Sequence, residues 1–475
     1  MMDYSLAQFY QDVSNGAFQV MVVDLDLNGQ RIAALQRELQ GRPNDGHLMD
    51  DKALEEAVES QDFRFNGRGW TRFNIMITSF LQFCRDVDPW SLWRSCDLIF
   101  KFYQDLGNCL LNDSYPIDPL VPLFTELTNY VVNLATILDA NSVKLNTRPH
   151  QFLSHTSAVI SKVFNSVKPP RTSEDDVSNG NAVGLPEKQR ILLYLVNKLN
   201  NLYFRIKSPQ LCSNIFKNFK PKAMTSSFAQ YPIREQIEYR YLLGRYYLLN
   251  HRVTNAFVQL NTAFSQLMLI AMTAGPDSQP QIRRNLSRIL RYLVPAGLML
   301  GKSPRIAYLS EIDPSLSEKY ASLLHHMRNG NIRALNAWLA HHENSLRRDH
   351  LLLILLEKLP MICYRNLIRT VVQTCTIPQN TGKIPYAQIE AAFKLSIGEL
   401  TPEKIDIHTA IHRPDNVENV LVTLINLGLL RGNCFPMLRL CVVKKTQAIR
   451  EILPSIQERI LATFPLNSED SWLDD

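Results

Sequence analysis

The sequence predicts an all-α fold: a tetratricopeptide-like α-solenoid of helix hairpins followed by a C-terminal winged helix with a small β-hairpin. Three observations predict it. Apolar residues recur with a period near 3.6 in almost every segment. One segment, EYRYLLGRYYLLNHRVTNAF (Glu238–Phe257), opens the fixed offsets of a tetratricopeptide repeat. Strict apolar alternation appears only in LRLCVVKK (Leu438–Lys445), after a helix and a turn.

Composition frames these observations. The chain has 475 residues, 45% hydrophobic and 20% charged, with a net charge of +6, which suits a globular chain of several domains or a repeat array. The mildly basic balance is compatible with phosphates or an acidic partner and compels neither. The longest apolar runs, such as LLLILLEKL (Leu351–Leu359), are broken by charge, so no membrane-spanning helix is expected. The first residues, MMDYSLAQFYQDVSNGAF, carry acids where a targeting peptide carries bases, and an intracellular protein is expected. The 8 cysteines are scattered without a CxxC pair, which reads as reduced core residues.

Taken in order, the helical segments include Trp90–Leu111, Pro186–Ile206 and Arg283–Leu300, separated by breakers such as NDSYPIDP and AGPDSQPQ. KPPRTSEDDVSNGNAVGLPEK (Lys168–Lys188) has paired prolines, acids and serines without apolar periodicity, and is expected to be a disordered surface loop. Leu243-Gly244 is followed by Tyr247, Ala256, Leu260 and Ala263 at the offsets that a repeat hairpin requires, with Arg240 where the repeat usually has Trp. This predicts a hairpin of Ile237–Leu249 and Val253–Leu267. Tyr239, Leu242, Leu243 and Tyr246 then form one buried stripe, so the tyrosines read as core instead of a base-stacking platform, while Arg245 and Arg252 fall outside it. The expected organisation is N-terminal helical repeats over 1–185, with the loop near 168–187, a tetratricopeptide-like part over 186–383, a winged helix over 384–460 and a tail over 461–475.

The winged helix is read from two helices, Ile384–Ile397 and one within Arg413–Gly432, and the alternation of Leu438, Leu440 and Val442 as a half-buried strand. Asp415 and Glu418 form a capping box, and Gly428 ends the second helix. Its exposed face offers Glu418, Asn419, Val422, Thr423 and Asn426, without a cation, which disfavours sequence-specific reading of a duplex. Cations gather around it instead: Arg413, Arg431, Arg439, Lys444, Lys445 and Arg450. This rim suits phosphate contact without base readout, and equally suits ordinary solvated charge at element ends; the residues alone leave both readings open.

No residue is read as catalytic, and no metal or cofactor site is expected. GLMLGKS (Gly297–Ser303) has three residues between its glycines where a phosphate loop needs four, and reads as a helix end and turn. Histidines at His325-His326 and His341-His342 lack HExxH spacing, and neighbours on a helix point about 100° apart.

A helical stack ending in a winged helix resembles the PCI-domain family, found in subunits of the proteasome lid, the COP signalosome and a translation initiation factor. Within it, the chain is most similar to the PCI-domain subunits of the fungal TREX-two mRNA export complex. The residues that carry this are Phe83–Phe100, Lys188–Ile206, Ser208–Phe219, the stretch from Glu238, Leu355–Pro360, Asn416–Arg431 and Cys441–Lys445, so the resemblance spans Arg72 to Lys445. It implies a non-enzymatic scaffold at nuclear pores that binds a large PCI-like scaffold partner and a small acidic disordered subunit shared with the proteasome lid, and contributes to RNA or DNA binding. For the acidic subunit, exposed cations interleaved with rings suggest Phe216, Lys217, Phe219, Lys220 and Lys222. The alternative is a subunit of a signalosome- or proteasome-lid-like assembly without a nucleic-acid role.

Overall fold

The computed structural model describes residues 4–41, 49–65, 68–168, 187–223, 228–379, 381–398, 417–463, 466 and 468–474. The described residues are overwhelmingly helical and divide into two units, one ending at Glu235 and one running from Gln236 to Asp474. Most of the expected loop, residues 169–186, lies outside the described residues, as do Arg413 and Asp415.

In the first unit, helices Leu6–Ser14, Leu25–Leu39 and Asp51–Ser60 begin at Ser5, Asp24 and Asp50, whose side chains accept otherwise unpaired amides of the first turn. Leu25–Leu39 and Asp51–Ser60 pack on helix Thr71–Asp86. The side-chain amides of Gln36 and Gln40 donate to the carbonyls of Val87 and Arg85, at 2.9 and 2.6 Å, and so satisfy the end of that helix. Phe9 stacks on Phe80 with ring centres 5.5 Å apart, and Trp70 lies parallel to Tyr115 at 4.7 Å. The N-terminal residues are therefore a layer of this unit's core. A two-residue hairpin, Arg64–Phe65 with Arg68–Gly69, interrupts the helices. Helices Leu92–Cys109, Leu120–Ala140, Gln151–Ser166, Leu192–Arg205 and Cys212–Ala223 complete the unit.

The second unit opens on the predicted hairpin, helices Ile233–Leu249 and Val253–Thr273. Ala256, Leu260 and Ala263 are fully buried. A β-carbon added at Gly244 would lie 2.6 Å from Cγ of Leu260 and 3.3 Å from the carbonyl oxygen of Ala256, so the close crossing requires glycine. Tyr239, Leu242 and Leu243 are buried as expected, but Tyr247 is buried and Tyr246 only half-buried. The stripe continues through Tyr247, which the repeat offsets also place toward the partner helix.

Val253–Thr273 is long and apolar enough, by length and composition alone, to cross a membrane, which departs from the sequence expectation. Here it packs as a hairpin helix, with Asn255 and Gln259 buried on its inner face.

Helix Gln279–Met299 ends as expected for the GLMLGKS stretch. Gly301 adopts φ +73°, its amide donates to Leu298, and Lys302 donates to the carbonyl of Gly297 at 2.8 Å. That is a Schellman stop. Helices Pro314–Arg328, Ile332–His341 and Leu352–Val371 follow, the last passing into a π-helical turn, Val372–Thr376.

The winged helix is built from helices Tyr386–Ile397 and Val417–Asn426 and a three-stranded antiparallel sheet. The predicted hairpin, Gly432–Phe435 with Leu440–Val443, gains a third strand, Lys383–Pro385, paired on the far side of Leu440–Val443. Gly432 and Asn433 open the first of these strands. The phase also differs from expectation: Cys441 and Val443 face the core, Leu440 and Val442 are half-buried, and Leu438 is exposed. Pro436 starts a 3-10 turn that absorbs Leu438, and Arg439 at φ +47° leads into the strand, whose inward side chains, Cys441 and Val443, fall an odd number of positions after Leu438 and so on the opposite face. Gly428 ends its helix at φ +67°, as the sequence predicts.

Candidate functional site

The wing and the helix beside it form the predicted rim. Asn419, Val422, Thr423 and Asn426 are exposed along helix Val417–Asn426, and none carries positive charge. Val417, Val420, Leu421 and Leu424 fill the opposite face, so the helix is held by packing and presents a surface without cations.

The wing tip is more apolar still. Phe435 is 42%, Met437 96% and Leu438 68% exposed, at the end of a two-stranded arm fixed by its turn. Three large apolar side chains thus stand together in solvent, a patch of the kind that protein contacts cover.

The five rim cations among the described residues, Arg431, Arg439, Lys444, Lys445 and Arg450, do not behave alike. Arg439 Nη2 lies 2.8 Å from Glu390, and Lys444 Nζ lies 2.5 Å from Glu451. Glu451, hydrogen-bonded by Lys444, is held below the usual carboxylate range. Arg431 is exposed, and its backbone amide is committed to the carbonyl of Ile452. Lys445 and Arg450 are exposed and make no ion pair among the described residues. Pairing reduces the net charge that Arg439 and Lys444 present to solvent.

A second cationic surface, which sequence reasoning did not single out, runs along helix Gln279–Met299. Arg283, Arg284 and Arg288 are exposed, and with Arg291 they line an open groove of about 670 Å³ whose far wall is Asp313 and Pro314. Arg291 reaches Asp349 at 3.7 Å. Nearby, the Arg245 guanidinium sits over the rings of Tyr241 and Tyr292 at 5.5 and 5.0 Å. The signal was present in the sequence as arginines spaced to share a helix face, but helical spacing alone does not say which face is covered.

The cluster expected to bind an acidic peptide is largely spent inside the first unit. Phe219 is fully buried against Tyr231, ring centres 6.2 Å apart. Lys222 donates to the carbonyls of Val167 and Asn165 and lies over the Phe164 ring at 5.5 Å. Burial and the nearby Lys188 lower its pKa. Both residues are thus structural: Cys212, Ile215, Phe219 and Ala223 form the buried stripe of their helix, a spacing that was legible in the sequence. Lys217 is exposed, and Phe216 and Lys220 are half-buried.

The expected core cysteines are mostly buried, and Cys434 sits opposite Cys441 across the wing. Among the described residues, no group of His, Cys, Asp or Glu is arranged to hold a metal ion. His341 and His342 meet edge to face at 4.7 Å, and His342 packs on Trp338; burial, with Lys319 and His341 beside it, lowers the His342 pKa to about 4.

Comparison with known proteins agrees with this architecture. A PCI domain is matched over residues 339–445, from the end of helix Ile332–His341 through the wing. The chain is 50% identical over 474 residues to the nuclear mRNA export protein THP1 of Saccharomyces cerevisiae, covering 98% of this chain and 99% of that one. It is 28% identical over 294 residues to a PCI domain-containing protein 2 homolog of Dictyostelium discoideum, covering 62% of this chain and 59% of the relative. A protein CSN12 homolog of Gibberella zeae matches at 24% over 253 residues, about half of each chain. With a helical stack, a wing and full-length similarity in agreement, the chain belongs to the PCI-domain family, in the group of the yeast mRNA export protein.

Proposed function

We propose that this protein is a non-enzymatic scaffold subunit of a TREX-two-like complex that couples transcription to mRNA export at nuclear pores. Similarity to a nuclear mRNA export protein along essentially the whole chain is the observation that carries this reading.

In this reading the wing engages a large PCI-like scaffold partner. The exposed Phe435, Met437 and Leu438 and the cation-free face of helix Val417–Asn426 supply the surface for that contact. Phosphates of RNA or DNA are held without sequence readout by Lys445, Arg450 and Arg431, and by the arginine row Arg283, Arg284 and Arg288. Arg439 and Lys444 contribute less because each already faces a carboxylate. A small acidic disordered subunit remains part of the proposal, with Lys217, Lys220 and Phe216 as the accessible remnant of its expected site.

Affinity purification from nuclear extract followed by mass spectrometry tests the proposal. Recovery of mRNA export and nuclear-pore proteins supports it. Recovery of signalosome or proteasome-lid subunits in their place supports the second reading.

A further inference from the structure

The hairpin Ile233–Thr273 holds an occupant that its repeat pattern does not announce. Arg240, in the position where the repeat usually has Trp, is only 2% exposed. Its guanidinium donates to Oε1 of Gln259 at 3.0 Å, to the carbonyl of Leu473 at 2.8 Å and to Oδ1 of Asp474 at 2.8 Å. Two helical turns on, the hydroxyl of Tyr247 donates to Oδ2 of Asp470 at 2.6 Å. At the hairpin turn, Arg252 meets Glu469 at 3.3 Å. The side chain of Leu473 is buried.

All of these contacts except that with Gln259 come from one short acidic stretch, SEDSWLD (Ser468–Asp474), more than two hundred residues along the chain from its receptors. Its regular structure is a short 3-10 helix, Ser468–Leu473, closed by the amide of Asp474 on the carbonyl of Ser471. What fastens it is a guanidinium on a carbonyl and a carboxylate, a phenol on a second carboxylate, one ion pair at the edge and one apolar anchor. That is the contact set of a peptide lying on a helical repeat, with two charge-assisted bonds at its centre.

We propose that the face of this hairpin formed by Arg240, Tyr247 and Arg252 is an acidic-peptide-binding site, and that the segment Ser468–Asp474 is its intramolecular ligand. Arg240 explains why the site favours occupancy: a buried guanidinium deprived of its carboxylate is an uncompensated charge. The exposed Arg252–Glu469 pair adds mainly orientation. Burial and the adjacent Asp470 raise the pKa of Tyr247 well above its ordinary value, so its hydroxyl remains a donor throughout the neutral range. Tethering sets the local concentration of the segment near the millimolar scale, so a free peptide at micromolar concentration does not displace it.

The test uses the full chain and a fluorescent peptide of residues 466–475. In wild-type protein the site is filled, and the peptide should show no saturable binding by anisotropy. In full-length Asp470→Asn/Leu473→Asp/Asp474→Asn the resident segment is disarmed. The same peptide should then bind at least about tenfold more tightly than to wild type, and raise the melting temperature of the variant only. A peptide bearing the same three substitutions should bind neither protein. Glu469→Lys, at an exposed position, keeps the buried contacts and should give an intermediate affinity, which preserves the test if the triple variant does not fold. Equal binding to wild type and variants, or binding to none of them, overturns the proposal.

Discussion

The hairpin Ile233–Thr273 and the wing Gly432–Val443 draw on the same vocabulary, large apolar or aromatic side chains among cations, and use it in opposite ways. In the hairpin, Tyr239, Arg240 and Tyr247 are buried, and both Arg240 and Tyr247 bond within the chain. In the wing, Phe435, Met437 and Leu438 stand in solvent, and the cations are exposed. The difference arises from spacing. A period of 3.6 with a glycine at the crossing lets two helices close over their rings, whereas a 3-10 turn at the end of a two-stranded arm leaves its side chains nowhere to go. Similar composition therefore yields a packed hairpin in one place and an exposed apolar patch in the other.

Substitutions can break this contrast, and the largest effect should come from the hairpin. Gly244→Leu forces a side chain into the space of Leu260 and should destabilise the protein by about 3 kcal/mol, read as a lowered melting temperature. A variant that melts like the parent would refute the close crossing. On the wing, Met437→Ser should change stability by no more than about 0.5 kcal/mol, because nothing covers the side chain. It should nevertheless reduce recovery of the scaffold partner in co-purification. A clearly lowered melting temperature there would mean that the tip is structural.

Charge reversal sharpens the comparison further. Arg283→Glu/Arg284→Glu/Arg288→Glu in the assembled complex should weaken RNA binding by about tenfold or more, and should flatten its salt dependence by about 0.7 for each phosphate left without a cation. The smallest effect is expected from the rim: Lys445→Glu/Arg450→Glu should weaken binding more than Arg439→Glu/Lys444→Glu, because the latter pair is already neutralised by Glu390 and Glu451. The reverse order would show that those carboxylates are displaced when nucleic acid binds.

The sequence was most readable where several positions are fixed by one close approach. Gly244, Ala256, Leu260 and Ala263 must hold their offsets for the helices to touch, so the hairpin is legible from residues alone. The wing was legible as a hairpin but not in phase, because a single turn residue moves the whole alternation to the other face. Its third strand, Lys383–Pro385, is three residues long with a proline and has no period to detect.

Phe219 and Lys222 depart from expectation for a different reason. Interleaved rings and cations suggest a peptide cradle, yet the stripe Cys212, Ile215, Phe219 and Ala223 has the spacing of a buried helix face. Arg240 could not be read at all, since its partners Leu473 and Asp474 are brought to it only by the fold.

The assembly proposed for this chain depends most heavily on the wing being a surface for protein. A photo-crosslinking amino acid placed at Met437 in the full-length protein, activated in cells, tests that claim directly. The predicted result is one dominant adduct with a large PCI-like scaffold protein of the export machinery, insensitive to RNase. An adduct that disappears on RNase treatment, or the absence of any protein adduct while the complex still assembles, would contradict it.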